Sequence, residues 1–314
     1  MPKISFLFPG QGAQYIGMGK EFYDTFEESR RVFQTANATL DFDLLKMCFE
    51  ENQEIHQTEY TQAAIFTVSE AIRVVLDNRG IKPSVCAGLS LGEYNALVAS
   101  GILRFEDTLP IVRKRGLLME HAVPSGLGGM AAIFYLDSTI IEQVCKELNG
   151  VVQIANYNSP VQTVISGEKE AVMKACEKLK EAGAKKVVPL KVSGPFHSPM
   201  LNSCGKELGE LLKGINMYPS SVPYMANVTA EYTNVRGCGE DKVRELLVKQ
   251  VSSPVLWKQS IIAMIEDGVD TFIEVGPGKT LSGLVKQIDR DAKILNVEKV
   301  SDLTQLEELL SVKR

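Results

Sequence analysis

Ser90 lies in Gly88-Leu89-Ser90-Leu91-Gly92, a G-x-S-x-G run that follows the short apolar stretch Val85–Ala87 and opens the helical stretch Leu91–Ser100. Acyl transfer needs a nucleophile raised clear of the backbone, and a serine on a sharp strand-to-helix turn meets that need. Glycines at 88 and 92 leave space that side chains would fill. The start of a helix also offers backbone N–H groups and the positive dipole end to developing negative charge. The same residues admit a second reading: Ser90-Leu91-Gly92-Glu93 matches a capping box, in which the serine only caps the helix and Glu93 returns the bond.

A nucleophilic serine needs a base, and the chain has three histidines. His56 lies in the polar stretch Glu50–Tyr60, where a solvated surface position is expected. His121 ends a helix, where a cation complements the dipole. His197 sits in the irregular run Gly194-Pro195-Phe196-His197-Ser198-Pro199, at a junction between two units of the chain, where active sites concentrate. It is the best candidate. Among acids placed between serine and histidine, Asp137 is the only one with any claim to complete a triad. Otherwise a main-chain carbonyl must orient the imidazole.

Pro9-Gly10-Gln11-Gly12 ends the first apolar run and is either a tight turn or the source of a second oxyanion-binding N–H group. It is not a dinucleotide fingerprint, because the third glycine would fall on Tyr15; Gly278-Lys279-Thr280 is not a P-loop, because its first glycine would fall on Ile273. Arg113-Lys114-Arg115 lies on a helix, where successive side chains point about 100° apart. With Ile111, Leu118 and Met119 marking the buried side, Arg115 turns inward and needs an anion from the protein or from a substrate.

The elements that carry these residues alternate between strand and helix, the pattern of an α/β protein with a mostly parallel sheet. Strands are expected over Ile4–Phe8, Val85–Ala87 and Thr271–Val275, with helices over Gln62–Asn78, Leu91–Ser100 and Asp107–His121. From residue 127 the rhythm changes to strand Met130–Leu136, helix Ser138–Leu148, strands Val151–Asn156 and Gln162–Ser166, helix Glu168–Ala182 and strand Lys186–Val192. This β-α-β-β-α-β order is ferredoxin-like and ends at Ser193-Gly194-Pro195. It predicts a small inserted domain over residues 127–196 within a larger one formed by residues 1–126 and 197–314.

The 314 residues are 45% apolar with a formal net charge of −5. No long basic run favours nucleic acid, and no apolar stretch has the length of a membrane span. Nor does the N-terminus read as a secretory signal. Six scattered cysteines without a C-x-x-C pair, and no histidine at ligand spacing from any of them, argue for buried reduced thiols rather than a metal site. A cytoplasmic protein is expected.

Beyond these motifs, Phe8–Gly12, Gly88–Tyr94, Arg113–Gly116 with Met119, Ala155–Pro160, Gly194–Ser198, Leu247–Gln250 and Ile273–Gly278 follow one another in an order and spacing that resemble a known family. This is the family of bacterial malonyl-CoA:acyl-carrier-protein transacylases, relatives of the acyltransferase domains of fatty-acid and polyketide synthases. The resemblance covers essentially the whole chain. It implies an α/β-hydrolase-like large domain carrying a ferredoxin-like insertion, with Ser90 as nucleophile and His197 as base. It also implies an oxyanion hole from the backbone N–H groups of Gln11 and Leu91, the Gln250 carbonyl orienting His197, and Arg115 on the malonyl carboxylate. Gln62 would stand beside the acyl group or Arg115, near Met119, and Phe196 would narrow the pocket. Malonyl-CoA and the phosphopantetheine of acyl-carrier protein would enter as substrates, with no cofactor, no metal, no nucleic acid or membrane partner, and a monomeric enzyme. Many members carry histidine immediately before the nucleophile, where this chain has Leu89. A polyketide acyltransferase and an acyl-thioester hydrolase are the alternatives on the same chemistry.

Overall fold

The computed structural model describes residues 3–192 and 194–311. Met1, Pro2 and residues 312–314 lie outside the described residues, as does Ser193, where the sequence places the end of the insertion. Among the described residues, ten strands form two sheets. β1 (Ile4–Phe8), β2 (Val85–Gly88), β7 (Tyr224–Met225), β8 (Tyr232–Thr233), β9 (Thr271–Val275) and β10 (Lys293–Val297) make a six-stranded sheet in the order β10-β9-β1-β2-β7-β8. It is parallel except for the β7–β8 pair at one edge. β3 (Gly128–Phe134), β4 (Val152–Ser159), β5 (Gln162–Glu168) and β6 (Lys186–Pro189) make a separate antiparallel sheet in the order β4-β5-β3-β6. The protein is thus α/β, a mostly parallel sheet joined to a ferredoxin-like one.

The apolar runs at the centre of the large sheet follow from burial on both faces, which removes the alternation of a half-solvated strand. In β1, Ile4, Phe6 and Phe8 pack to one side with Cys86 and Ile273, while Leu7 packs to the other with Val85, Ala87 and Phe272. Both layers are closed by helices, among them the buried Thr58–Asn78. That helix starts a turn before the expected Gln62, because the polar residues Thr58 and Thr61 are buried with it. The Thr58 N–H finds an acceptor in Glu120 Oε2 at 2.8 Å, the kind of partner that an orphaned first-turn donor needs. β6 is shorter than the expected Lys186–Val192 and lies at a sheet edge, where Pro189 costs no ladder bond.

The two sheets are stitched together. β4, the edge strand of its sheet, turns its free edge to the segment after Gln250: Val255 N donates to Ala155 O at 2.8 Å and Tyr157 N to Val255 O at 3.0 Å. All six cysteines are free; five are buried, whereas Cys238 is exposed, contrary to the expectation of uniformly buried thiols. Among the described residues no helix is long and apolar enough to cross a membrane.

Candidate active site

Ser90 sits between β2 and the helix Gly92–Ala99 with φ +55°, a left-handed conformation that an L-residue adopts at a cost of about 1–3 kcal/mol. The flanking glycines explain how the turn is packed. A Cβ on Gly88 would lie 2.0 Å from the backbone of Gly92, and a Cβ on Gly92 would lie 2.1 Å from Phe8 O. The capping-box alternative does not form: the helix has no side-chain cap, and Glu93 turns inward instead of back to the Ser90 N–H. That N–H donates to Asn227 Oδ1 at 2.7 Å, while Asn227 Nδ2 donates to Gly88 O at 2.7 Å, so one side-chain amide brackets the nucleophile from both sides.

His197 also has a positive φ, +58°. It is held by its own N–H on Val251 O at 3.1 Å and by Gln153 Nε2 donating to its carbonyl at 2.8 Å. The ring then points Nε2 at Ser90 Oγ, 2.8 Å away, and Nδ1 at the Gln250 main-chain carbonyl, 2.7 Å away. Because a carbonyl only accepts, Nδ1 carries the proton and Nε2 is left as the acceptor facing the serine. Burial, reinforced by the nearby Arg115 charge, lowers the imidazole to about 4, so it is neutral and basic near pH 7. Asp137 plays no part in this. It caps the small-domain helix Ser138–Glu147 through Thr139 N, 2.8 Å away. Nor do the other histidines: His56 faces Gln14 at the surface, and His121 lines a separate cavity with Glu207 and Cys204.

Arg115 is fully buried on the helix Phe105–His121. Its Nη1 donates to Gln62 Oε1 at 2.6 Å, and its Nη2 to Gln250 Oε1 at 2.9 Å and Ser90 Oγ at 3.2 Å. Its neighbour Arg113 is committed elsewhere, bonded to Asp41 and Glu59, which separates the two arginines as the helical angle predicts. No carboxylate lies within ion-pairing distance of Arg115 among the described residues. A cleft of about 210 Å³ opens above these groups, between the two sheets, and Met119, Phe196 and Gln62 wall it together with Leu89, Asn156 and Asn158. Gln62 Nε2 points at Met119 Sδ, 3.5 Å away.

Gln11 and Leu91 line the same cleft, brought together because the turn after β1 abuts the elbow: a Cβ on Gly10 would lie 2.5 Å from Leu89 O. Their N–H groups meet no acceptor among the described residues, which suits donors reserved for a transient oxyanion. The structure therefore brings together Ser90, His197, Arg115, Gln11, Leu91, Gln62, Phe196, Met119 and Gln250 around one cleft. Sequence reasoning missed Asn227, the side chain of Gln250 and the inward turn of Glu93. For Glu93 the signal was a single charge within the mostly apolar stretch Leu91–Ala99; for Asn227, after a two-residue strand, there was none.

A strand-to-helix serine bonded to a neutral buried histidine and to a guanidinium, in a cleft also lined by Gln11 and Leu91, is the equipment of a serine-dependent acyl-transfer enzyme. The chain belongs to the acyl transferase domain family, whose profile matches residues 5–306. It is 44% identical over 301 residues to the malonyl CoA-acyl carrier protein transacylase of Bacillus subtilis (strain 168), covering 95% of this chain and 94% of that one. The malonyl CoA-acyl carrier protein transacylase crystallised from Clostridium perfringens matches with a TM-score of 0.94 at 44% identity, over 99% of this chain and 98% of that one. A complex of a type II PKS acyl-carrier protein with its malonyl-transacylase matches with a TM-score of 0.94 at 36% identity, over 98% and 99%.

Proposed function

We propose that the protein transfers the malonyl group of malonyl-CoA to the phosphopantetheine thiol of holo-acyl-carrier protein, through an ester on Ser90, to supply extender units for fatty-acid synthesis. The observation that carries this reading is the placement of an unpaired buried guanidinium 3.2 Å from a serine that is itself 2.8 Å from a basic imidazole. Ser90 Oγ attacks the thioester carbonyl as its proton passes to His197 Nε2. The carbonyl oxygen becomes an oxyanion on the Gln11 and Leu91 N–H groups. Collapse expels the CoA sulfur, which takes the proton back from His197, and leaves malonyl-Ser90. The carrier thiol then repeats the sequence in reverse, giving a ping-pong cycle.

Arg115 gives the reaction its choice of acyl group. Its Nη2 donates to Ser90 Oγ. Once that oxygen is acylated, the same donors are free for the malonyl carboxylate, which matches the planar fork of a guanidinium. In this reading residues 1–126 and 197–314 form the catalytic unit and 127–196 the insertion that roofs it. The protein works in the cytoplasm as a monomer, without a cofactor. Intact-mass analysis after mixing with malonyl-CoA tests the reading. The parent should gain one malonyl adduct and Ser90→Ala none. Release of free malonate at the rate of thioester loss would instead identify a hydrolase.

A further inference from the structure

Every other buried carboxyl near the large sheet has an evident occupation. Glu274 accepts from the N–H groups of Leu281 and Ser282 and from Ser282 Oγ, so it caps the helix Thr280–Ile288; Glu70 is paired with Arg73. Glu93 is fully buried, caps nothing and has no cation within ion-pairing distance among the described residues. We propose that Glu93 is a positioning residue for acyl-group choice: its carboxyl fixes which way the side-chain amide of Gln250 points, and that amide aims Arg115. The inference deepens the malonyl-transfer reading and rests on it.

The argument is one of donor and acceptor count. Gln250 is fully buried, and its amide has one donating and one accepting end. The Nε2 end donates to Glu93 Oε2 at 2.6 Å and to Ser90 O at 2.8 Å; the Oε1 end accepts from Arg115 Nη2 at 2.9 Å. Turning the amide over would set an NH₂ against a guanidinium that can only donate. It would also set a carbonyl against Ser90 O, which can only accept, and would take the Nε2 donor away from Glu93. Glu93 has its other oxygen, Oε1, toward the Asn227 N–H at 3.4 Å, on the residue that brackets Ser90. A single carboxyl thus ties the loop beneath the nucleophile to the amide beside the guanidinium. The carbonyl of Gln250 that orients His197 belongs to the main chain and does not depend on which way the amide faces.

The test measures kcat/KM for malonyl-CoA and acetyl-CoA in the parent, Glu93→Gln, Gln250→Leu and the double variant. Glutamine at 93 offers its own NH₂ as well as its carbonyl, so only Arg115 and Ser90 O are left to set the direction of the Gln250 amide. Gln250→Leu removes the amide and keeps the main-chain carbonyl. Each single variant should lower the malonyl-to-acetyl ratio by about 10-fold or more, in line with the cost of a misplaced positioning group. The double variant should be no worse than the more affected single, because Glu93 acts through Gln250. Should Glu93→Gln not fold, Glu93→Asp draws the acceptor back by one methylene and must lower the ratio too. A ratio that stays at the parent value in a folded Glu93 variant, or losses that multiply in the double variant, overturns the role of Glu93. A parent that forms no malonyl adduct refutes the malonyl-transfer reading itself, a result distinguishable from either.

Discussion

Replacing Arg115 with alanine separates substrate choice from chemistry. In the resting site the guanidinium is fully buried, with three oxygen partners that are all neutral: Gln62 Oε1, Gln250 Oε1 and Ser90 Oγ. Its charge thus rests on neutral oxygens and on the face of the Tyr94 ring, 5.5 Å away, with no carboxylate within ion-pairing distance among the described residues. Breaking a buried, hydrogen-bonded ion pair costs about 3–5 kcal/mol. At about 1.4 kcal/mol per tenfold, that is roughly 10²- to 10³·⁵-fold in kcat/KM for malonyl-CoA. Acetyl-CoA presents no anion and leaves the guanidinium desolvated, so Arg115→Ala should hold or raise its kcat/KM. Arg115→Lys should recover only part of the malonyl preference, because an ammonium cannot reproduce the bidentate fork. The truncation also strands the Gln62 and Gln250 oxygens, so thermal denaturation of each variant must accompany the kinetics. An equal fall for both substrates in folded Arg115→Ala would refute carboxylate recognition by this residue.

The pH dependence of kcat/KM should show an acid limb near pH 4 rather than 6.5, because the buried imidazole must be neutral and gains its proton only at about that pH. A limb near 6.5 would mean that His197 is solvated in the working enzyme. The sign for stability follows: between 6.5 and 4 the unfolded chain takes up a proton that buried His197 refuses, so folding weakens as pH falls through that window. His197→Ala should lose about 10²–10⁴-fold in rate while His56→Ala and His121→Ala stay near the parent, a comparison read from steady-state transfer assays. Gly92→Ala should lose activity and about 1–3 kcal/mol or more in urea denaturation, since its Cβ would meet Phe8 O at 2.1 Å. Gly283→Ala, an exposed helical position with open space around it, should gain about 0.5–1 kcal/mol in the same measurement.

How much of this was legible depended on whether a residue announced itself locally. The central strands Ile4–Phe8 and Thr271–Val275 match their expected bounds, because burial on both faces makes both runs mostly apolar, with only Ser5, Thr271 and Glu274 polar. β10 escaped notice: it is an edge strand beginning at exposed Lys293 and holding Asn296, so its pattern is weak. β7 and β8, two residues each, carry no periodicity at all. Ser90 was legible from its glycines and His197 from the scarcity of histidines. The oxygen that orients His197 is a main-chain atom, and no residue type encodes it, so the residues alone left that partner open. The same chemistry hid Asn227, which reaches the elbow across 137 positions of chain.

The stitching of β4 to the segment after Gln250 bears on the order of events during turnover. Gln153, from the small sheet, holds the carbonyl of the histidine proposed as base, and Val255 is pinned to Ala155 and Tyr157 within a few residues of Gln250. Swinging the small sheet away would break these bonds and disturb His197, so in the proposed cycle the two sheets stay joined between half-reactions. On that reading both substrates reach Ser90 through the same cleft. The CoA arm has to withdraw along the path by which it came before the carrier's arm can take its place. Spent CoA and incoming carrier therefore exclude each other, and each occupant delays the next by its own residence time.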